Sequence, residues 1–151
     1  MYKKILIGID GSEDAHKALK KVIDFYNDWK SKIVVFHSME HHMVPPVFPA
    51  FGVGYVIPDD SYSIYQRDFR KASEKTLEEA KKIFEKAGIP IETRLIEDIK
   101  PEQYATDMVK KENFDLVVLG GKGHHSKLGA LLGTVSTHVV NNADCDVLIV
   151  R

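Results

Sequence analysis

Only one cysteine, Cys145, stands among 151 residues, so no intramolecular disulfide can form and a thiolate zinc site would lack its usual ligand set. A reducing, cytoplasmic compartment fits this usage. Charge of one sign is missing too: 21 Lys and Arg against 22 Asp and Glu leave a formal charge of -1. That balance excludes a general attraction to nucleic acid or to an anionic membrane surface, both of which need a clear basic excess. No apolar stretch approaches the ~20 residues of a membrane span, and the N-terminal run is too short for a signal peptide and ends at Asp10. Also absent are a Walker-type Gly-x4-Gly-Lys-Ser/Thr, a His-x-Gly-His, and a Ser-Gly-Gly-x-Asp-Ser loop after the first strand. What remains is ordinary: 44% hydrophobic and 28% charged residues, in a length that suits one soluble globular domain over 1–151.

The apolar runs are short and regularly spaced. Residues 4–9 form an isoleucine-rich run stopping at Asp10-Gly11-Ser12, which reads as a buried strand and a turn. Ala15, Ala18, Leu19, Val22, Ile23 and Tyr26 then recur at helical spacing, with Ser12 as N-cap and Glu13 and Asp14 where the helix dipole favours negative charge. Further strands are read at 33–36, 89–96, 116–119 and 147–150. Helices are read at 69–87, closed by Gly88 and Pro90, at 101–112, and at 134–142. Strict alternation of strand and helix predicts a doubly wound α/β domain with a five-stranded parallel sheet covered on both faces. Ligands in such sheets bind beyond the carboxyl ends of the strands where the strand order reverses, which directs attention to Asp10 and the loop after Leu119.

Residues 39–65 interrupt the alternation with four prolines, two glycines and several aromatics. This segment reads as a flap over a ligand, a contact with a partner chain, or a packed irregular loop. His37, His41 and His42, like His124 and His125, raise the idea of a metal site. Adjacent histidines on an extended chain point to opposite faces, so no designed site is expected from them.

After the fourth strand comes Gly120-Gly121-Lys122-Gly123, and ten residues after Gly123 the pair Gly133-Thr134 opens the last helix. Glycines after a buried strand let backbone N–H groups approach an anion without interference from Cβ. The first N–H groups of the helix are unpaired and carry partial positive charge. Two anion-binding elements thus share one end of the sheet.

The spacing Gly120-x2-Gly123-x9-Gly133-Thr134 resembles that of the ATP-binding members of the universal stress protein family. So do the first strand ending at Asp10-Gly11-Ser12, a second reaching His37 and Ser38, and the closing Ala143-Asp144-Cys145-Asp146-Val147-Leu148-Ile149-Val150. The resemblance covers the whole chain and implies a Rossmann-like fold of the adenine nucleotide alpha hydrolase type. By it, Gly120, Gly123, Gly133, Thr134 and Ser136 would hold phosphates, Asp10 would accept from the ribose, and Ser38 would fall at the adenine. The cofactor implied is ATP or AMP with Mg²⁺ held mainly by the phosphates, Lys122 or Lys127 adding attraction. The partner implied is a second copy, joined through the strand from Val147 to Val150. Two residues depart from the family pattern: Asp98 replaces a glycine after the third strand, and Asp146 a proline before the last. A regulatory nucleotide-binding protein, a slow ATPase and a dimerisation module with an empty loop are the competing functions.

Overall fold

A computed structural model describes residues 1–39, 49–50, 53–54, 59–123 and 132–151. Along the chain run β1 (Lys4–Gly8), α1 (Glu13–Trp29), β2 (Lys32–Ser38), β3 (Pro49–Ala50), β4 (Val53–Gly54), α2 (Asp59–Lys86), β5 (Ile91–Ile96), α3 (Pro101–Glu112), β6 (Leu116–Gly120), α4 (Thr134–Asn142) and β7 (Asp146–Val150). Five strands form one parallel sheet in the order β5-β2-β1-β6-β7, with Gly8 level with Phe36 and with Leu119. β3 and β4 pair antiparallel on their own.

Period-2 alternation sends successive side chains of each strand to opposite faces. Ile5, Ile7, Ile33, Val35, Leu116 and Val118 meet the apolar stripes of α1 and α2, including Leu19, Val22, Leu77 and Phe84. Leu6, Val34, Phe36, Val117 and Leu119 meet α3 and α4 through Tyr104, Val109 and Val139. Burial on both faces is why the inner strands read as unbroken apolar runs. No helix among the described residues is long and apolar enough to cross a membrane.

Helix ends follow local chemistry. Ser12 Oγ accepts from the Ala15 N–H at 3.2 Å, fixing the start of α1, and Lys30 ends that helix in the left-handed region. Gly88, at φ +71°, closes α2 as expected. Ile89 does not belong to a strand: its N–H returns to the Phe84 carbonyl at 3.0 Å, so it is buried as part of the helix exit and β5 begins at Ile91. The larger difference is at the other end of α2, which starts at Asp59 rather than Phe69. The final part of the 39–65 segment is therefore helical; Ile64 and Tyr65 are exposed, and the Tyr65 ring lies 6.1 Å from that of Phe69.

A half-buried ion network ties β1, β5 and α3 together. Arg94 grips Glu112 with both terminal nitrogens, at 2.5 and 3.1 Å, and also reaches the Tyr104 hydroxyl at 3.2 Å. Lys4 Nζ adds a 2.8 Å contact to Glu112 and lies over the Phe114 ring. The Arg94 guanidinium first, then Lys4, hold the Glu112 carboxyl down to about 2, from an ordinary 4.5. A depressed carboxylate stabilises the fold above its unfolded value, and that contribution is lost as pH falls from about 4.5 to about 2. With the Glu112 side chain 29% exposed, solvent screening limits the effect. Glu112→Gln is expected to cost about 1–2 kcal/mol at pH 7 in urea unfolding, with the gap to the unmodified protein closing as the pH is lowered through that window.

Candidate functional site

The strand order reverses between β1 and β6: from β1 the chain builds outward through β2 to β5, and from β6 the opposite way to β7. The crevice at their carboxyl ends is where a doubly wound sheet receives ligands. Four pieces of chain meet there: the turn after β1, the end of β2, the glycines after β6, and the start of α4.

Asp10 follows β1 directly. Its Oδ1 accepts from the Ser12 N–H at 3.0 Å, and Gly11 between them adopts φ +79°, a conformation that glycine takes without strain. Continuing the β1–β2 register places Asp10 level with Ser38. Ser38 is buried, and its hydroxyl donates to the Ile99 carbonyl at 2.8 Å, tying β2 to the loop after β5. The glycine loop passes over Asp10 so closely that a Cβ on Gly123 would stand 2.5 Å from Asp10 Oδ2.

Several loop groups are engaged within the protein. The Gly121 N–H donates to the Val150 carbonyl and the Gly133 N–H to the Gly121 carbonyl, both at 2.7 Å. The Lys122 N–H donates to Asp14 Oδ2 at 3.1 Å. Gly133 lies against the loop: a Cβ added there would stand 3.6 Å from the Gly123 nitrogen. Beyond it, α4 begins without a side-chain cap, and no described residue accepts from the N–H groups of Thr134, Val135 and Ser136. An uncapped helix start beside a glycine turn offers several convergent donors and partial positive charge, the environment an anion such as phosphate requires. Because these donors are neutral main-chain groups, the arrangement needs no basic excess.

The family model for the universal stress protein family matches residues 1–151. The chain belongs to that family. Universal stress protein MJ0531 of Methanocaldococcus jannaschii is 27% identical over 151 residues, covering 100% of this chain and 83% of that protein. Universal stress protein YxiE of Bacillus subtilis is 28% identical over 151 residues, covering 100% of both chains. Among solved structures, universal stress protein UspA from Lactobacillus plantarum superimposes with a TM-score of 0.79 at 21% identity, over 99% of this chain and 98% of that one. Three others hold a nucleotide. A universal stress protein in complex with cAMP has a TM-score of 0.64 at 22% identity, over 99% of this chain and 97% of that one. The one from Archaeoglobus fulgidus with dAMP has 0.64 at 20%, over 99% and 98%, and the one from Arabidopsis thaliana with AMP has 0.65 at 19%, over 98% and 90%.

Within this universal stress protein the residues singled out by the family spacing divide by environment. Asp10, Gly123, Gly133 and Thr134 gather at the loop and the helix start. Gly120 and Ser136 carry structural contacts: a Cβ on Gly120 would stand 2.8 Å from the Ala15 nitrogen, and the buried Ser136 hydroxyl donates to the Gly120 carbonyl at 2.7 Å. What Ser136 offers a ligand is its main-chain N–H. Asp98 is exposed in the loop after β5, and Asp146, at the far end of the sheet, accepts from the Tyr2 hydroxyl at 2.7 Å. His41, His42, His124, His125 and Lys127 lie outside the described residues.

Three residues have contacts at the site that the sequence does not announce. Asp14 reads there only as a charge suited to a helix start, yet its carboxylate holds the Lys122 amide. Gly121 is the residue on which the Arg151 stem packs, and a side chain there would collide with it. His37 is buried, with Nδ1 2.7 Å from the Ile9 carbonyl. The doubled glycine was a signal for the second; the other two are long-range contacts that no spacing announces.

Proposed function

We propose that this universal stress protein is an ATP-binding regulatory protein of the stress response, acting as a cytoplasmic homodimer with residues 1–151 as one domain. The observation that carries the nucleotide reading is the uncapped start of α4, whose first three N–H groups meet no acceptor among the described residues, set against the Gly121–Gly123 turn. In this reading those N–H groups and that of Gly123 take the phosphates. Asp10 accepts from the ribose hydroxyls, Ser38 lies at the adenine, and Mg²⁺ is held by the phosphate oxygens. Related structures with AMP, dAMP and cAMP support an adenine nucleotide as the ligand class.

The dimer reading rests on the contrast between the two sheet edges. β5 carries Glu92, Thr93 and Arg94 along its length, whereas β7 offers Val147, Leu148, Ile149 and Val150. Charged edges resist pairing; an apolar edge with unpaired main-chain groups invites it. A second copy related by a two-fold axis covers such an edge symmetrically.

Nucleotide content tests the ligand directly. Protein purified without added nucleotide, denatured and resolved by ion exchange, is expected to release ATP or AMP. Recovery of no nucleotide, together with no thermal stabilisation by added Mg-ATP, would leave the empty-module reading in its place.

A further inference from the structure

β1 leaves the sheet at Ile9, whose N–H makes a ladder contact with the Phe36 carbonyl at 3.0 Å. The Ile9 carbonyl is gripped by a side chain, His37 Nδ1, at 2.7 Å. Since a carbonyl only accepts, Nδ1 carries the hydrogen and donates. His37 is buried at the end of a strand whose preceding residues are Ile33, Val34, Val35 and Phe36. A polar ring at such a place costs burial of its nitrogens unless its hydrogen bond is made.

What that hydrogen bond fixes is specific. The Ile9 carbonyl and the Asp10 N–H share one rigid peptide plane. Holding the oxygen of that plane sets the direction from which Asp10 departs, while the Ser12 N–H, at 3.0 Å, holds its carboxylate from the other side. Asp10 is thus clamped before and after, directly beneath Gly123.

We propose that His37 is a positioning residue for Asp10, aligning its carboxylate with the ribose hydroxyls of a bound nucleotide; this rests on the nucleotide reading above. Two substitutions separate the ring nitrogens. In His37→Asn the introduced amide stands in for Nδ1 and reaches the Ile9 carbonyl, whereas in His37→Gln the longer side chain carries its amide to the place of Nε2 and does not. The test is calorimetric titration of the intact protein, His37→Asn and His37→Gln with Mg-ATP and with Mg-2′,3′-dideoxy-ATP, which lacks the hydroxyls.

The unmodified protein is expected to prefer ATP by about tenfold, the worth of a hydrogen bond to a charged group. His37→Asn keeps that preference. His37→Gln reduces it to near unity by losing ATP affinity, with dideoxy-ATP affinity changed less than about twofold. Equal weakening of both ligands by His37→Gln, or an unchanged preference, would overturn the positioning role while leaving nucleotide binding intact. An unmodified protein that binds both ligands equally overturns it as well, and one that binds neither removes the nucleotide reading itself. If His37→Gln fails to fold, His37→Ser, too short to reach Ile9, carries the same comparison.

Discussion

Gly123→Val is expected to abolish thermal stabilisation by Mg-ATP while leaving the unliganded fold standing. Among the described residues a Cβ at this position meets only Asp10 closely, at 2.5 Å from Oδ2, so the far end of a side chain moves rather than the backbone. The branched side chain then stands where the Asp10 carboxylate sits, so that the carboxylate cannot accept from the ribose and the added bulk crowds the phosphates in the proposed arrangement. For the unmodified protein, ligand a hundredfold above its dissociation constant stabilises by about 2.7 kcal/mol. In a chain of this size each kcal/mol moves the midpoint by roughly 2–4 °C, so an upward shift of about 5–11 °C should vanish in the variant. A shift that survives the substitution would place the ligand away from this loop.

The second large effect is expected at the open edge of the sheet. The Val150 carbonyl accepts from Gly121, which sets the phase of β7: the main-chain groups of residues 146, 148 and 150 face β6, and those of Val147 and Ile149 face outward. Val147→Pro therefore removes an outward N–H without breaking the β6–β7 ladder, a position where an edge strand tolerates proline. In a two-fold dimer the loss counts twice. Two hydrogen bonds at about 1–1.5 kcal/mol each weaken association by roughly a hundredfold. Sedimentation equilibrium should find the unmodified protein at twice the chain's 17.1 kDa and Val147→Pro at 17.1 kDa. An unmodified protein at the single-chain mass, or a variant still paired, would move the interface elsewhere.

Both expectations depend on features that differ in how they are written into the chain. The inner strands, α1 with its Ser12 cap, and the Gly88 stop are local: runs, periods and turn residues specify them, and the structure follows them to within a residue or two. The beginning of α2 is not local in this sense. Asp59–Asp68 is mostly polar, so the sparse helical spacing of Tyr62, Tyr65 and Phe69 is a weak signal beside the prolines and glycines before it, and the pairing of β3 with β4 rests on two residues a side. Ile89 misled for a related reason, being apolar and buried like a strand residue but bonded back to the helix before it.

The candidate site was legible where glycine spacing and strand ends carry it: Asp10, Gly123, Gly133 and Thr134 come together from widely separated parts of the chain. Spacing could not separate a glycine that faces a ligand from one that admits a neighbouring helix. Gly120 packs under the first turn of α1, and Ser136 locks onto its carbonyl. Nor could it find His37 or Asp14, whose hydrogen bonds join residues 28 and 108 positions apart in the chain. Such contacts exist only once the sheet has assembled.

The most direct measurement is a crystal structure grown with saturating Mg-ATP. We expect the triphosphate against the N–H groups of Gly123 and of Thr134 to Ser136, with Asp10 at the ribose. Nucleotide bound at another place, or a helix start that closes on the glycine turn with no ligand between them, would contradict it.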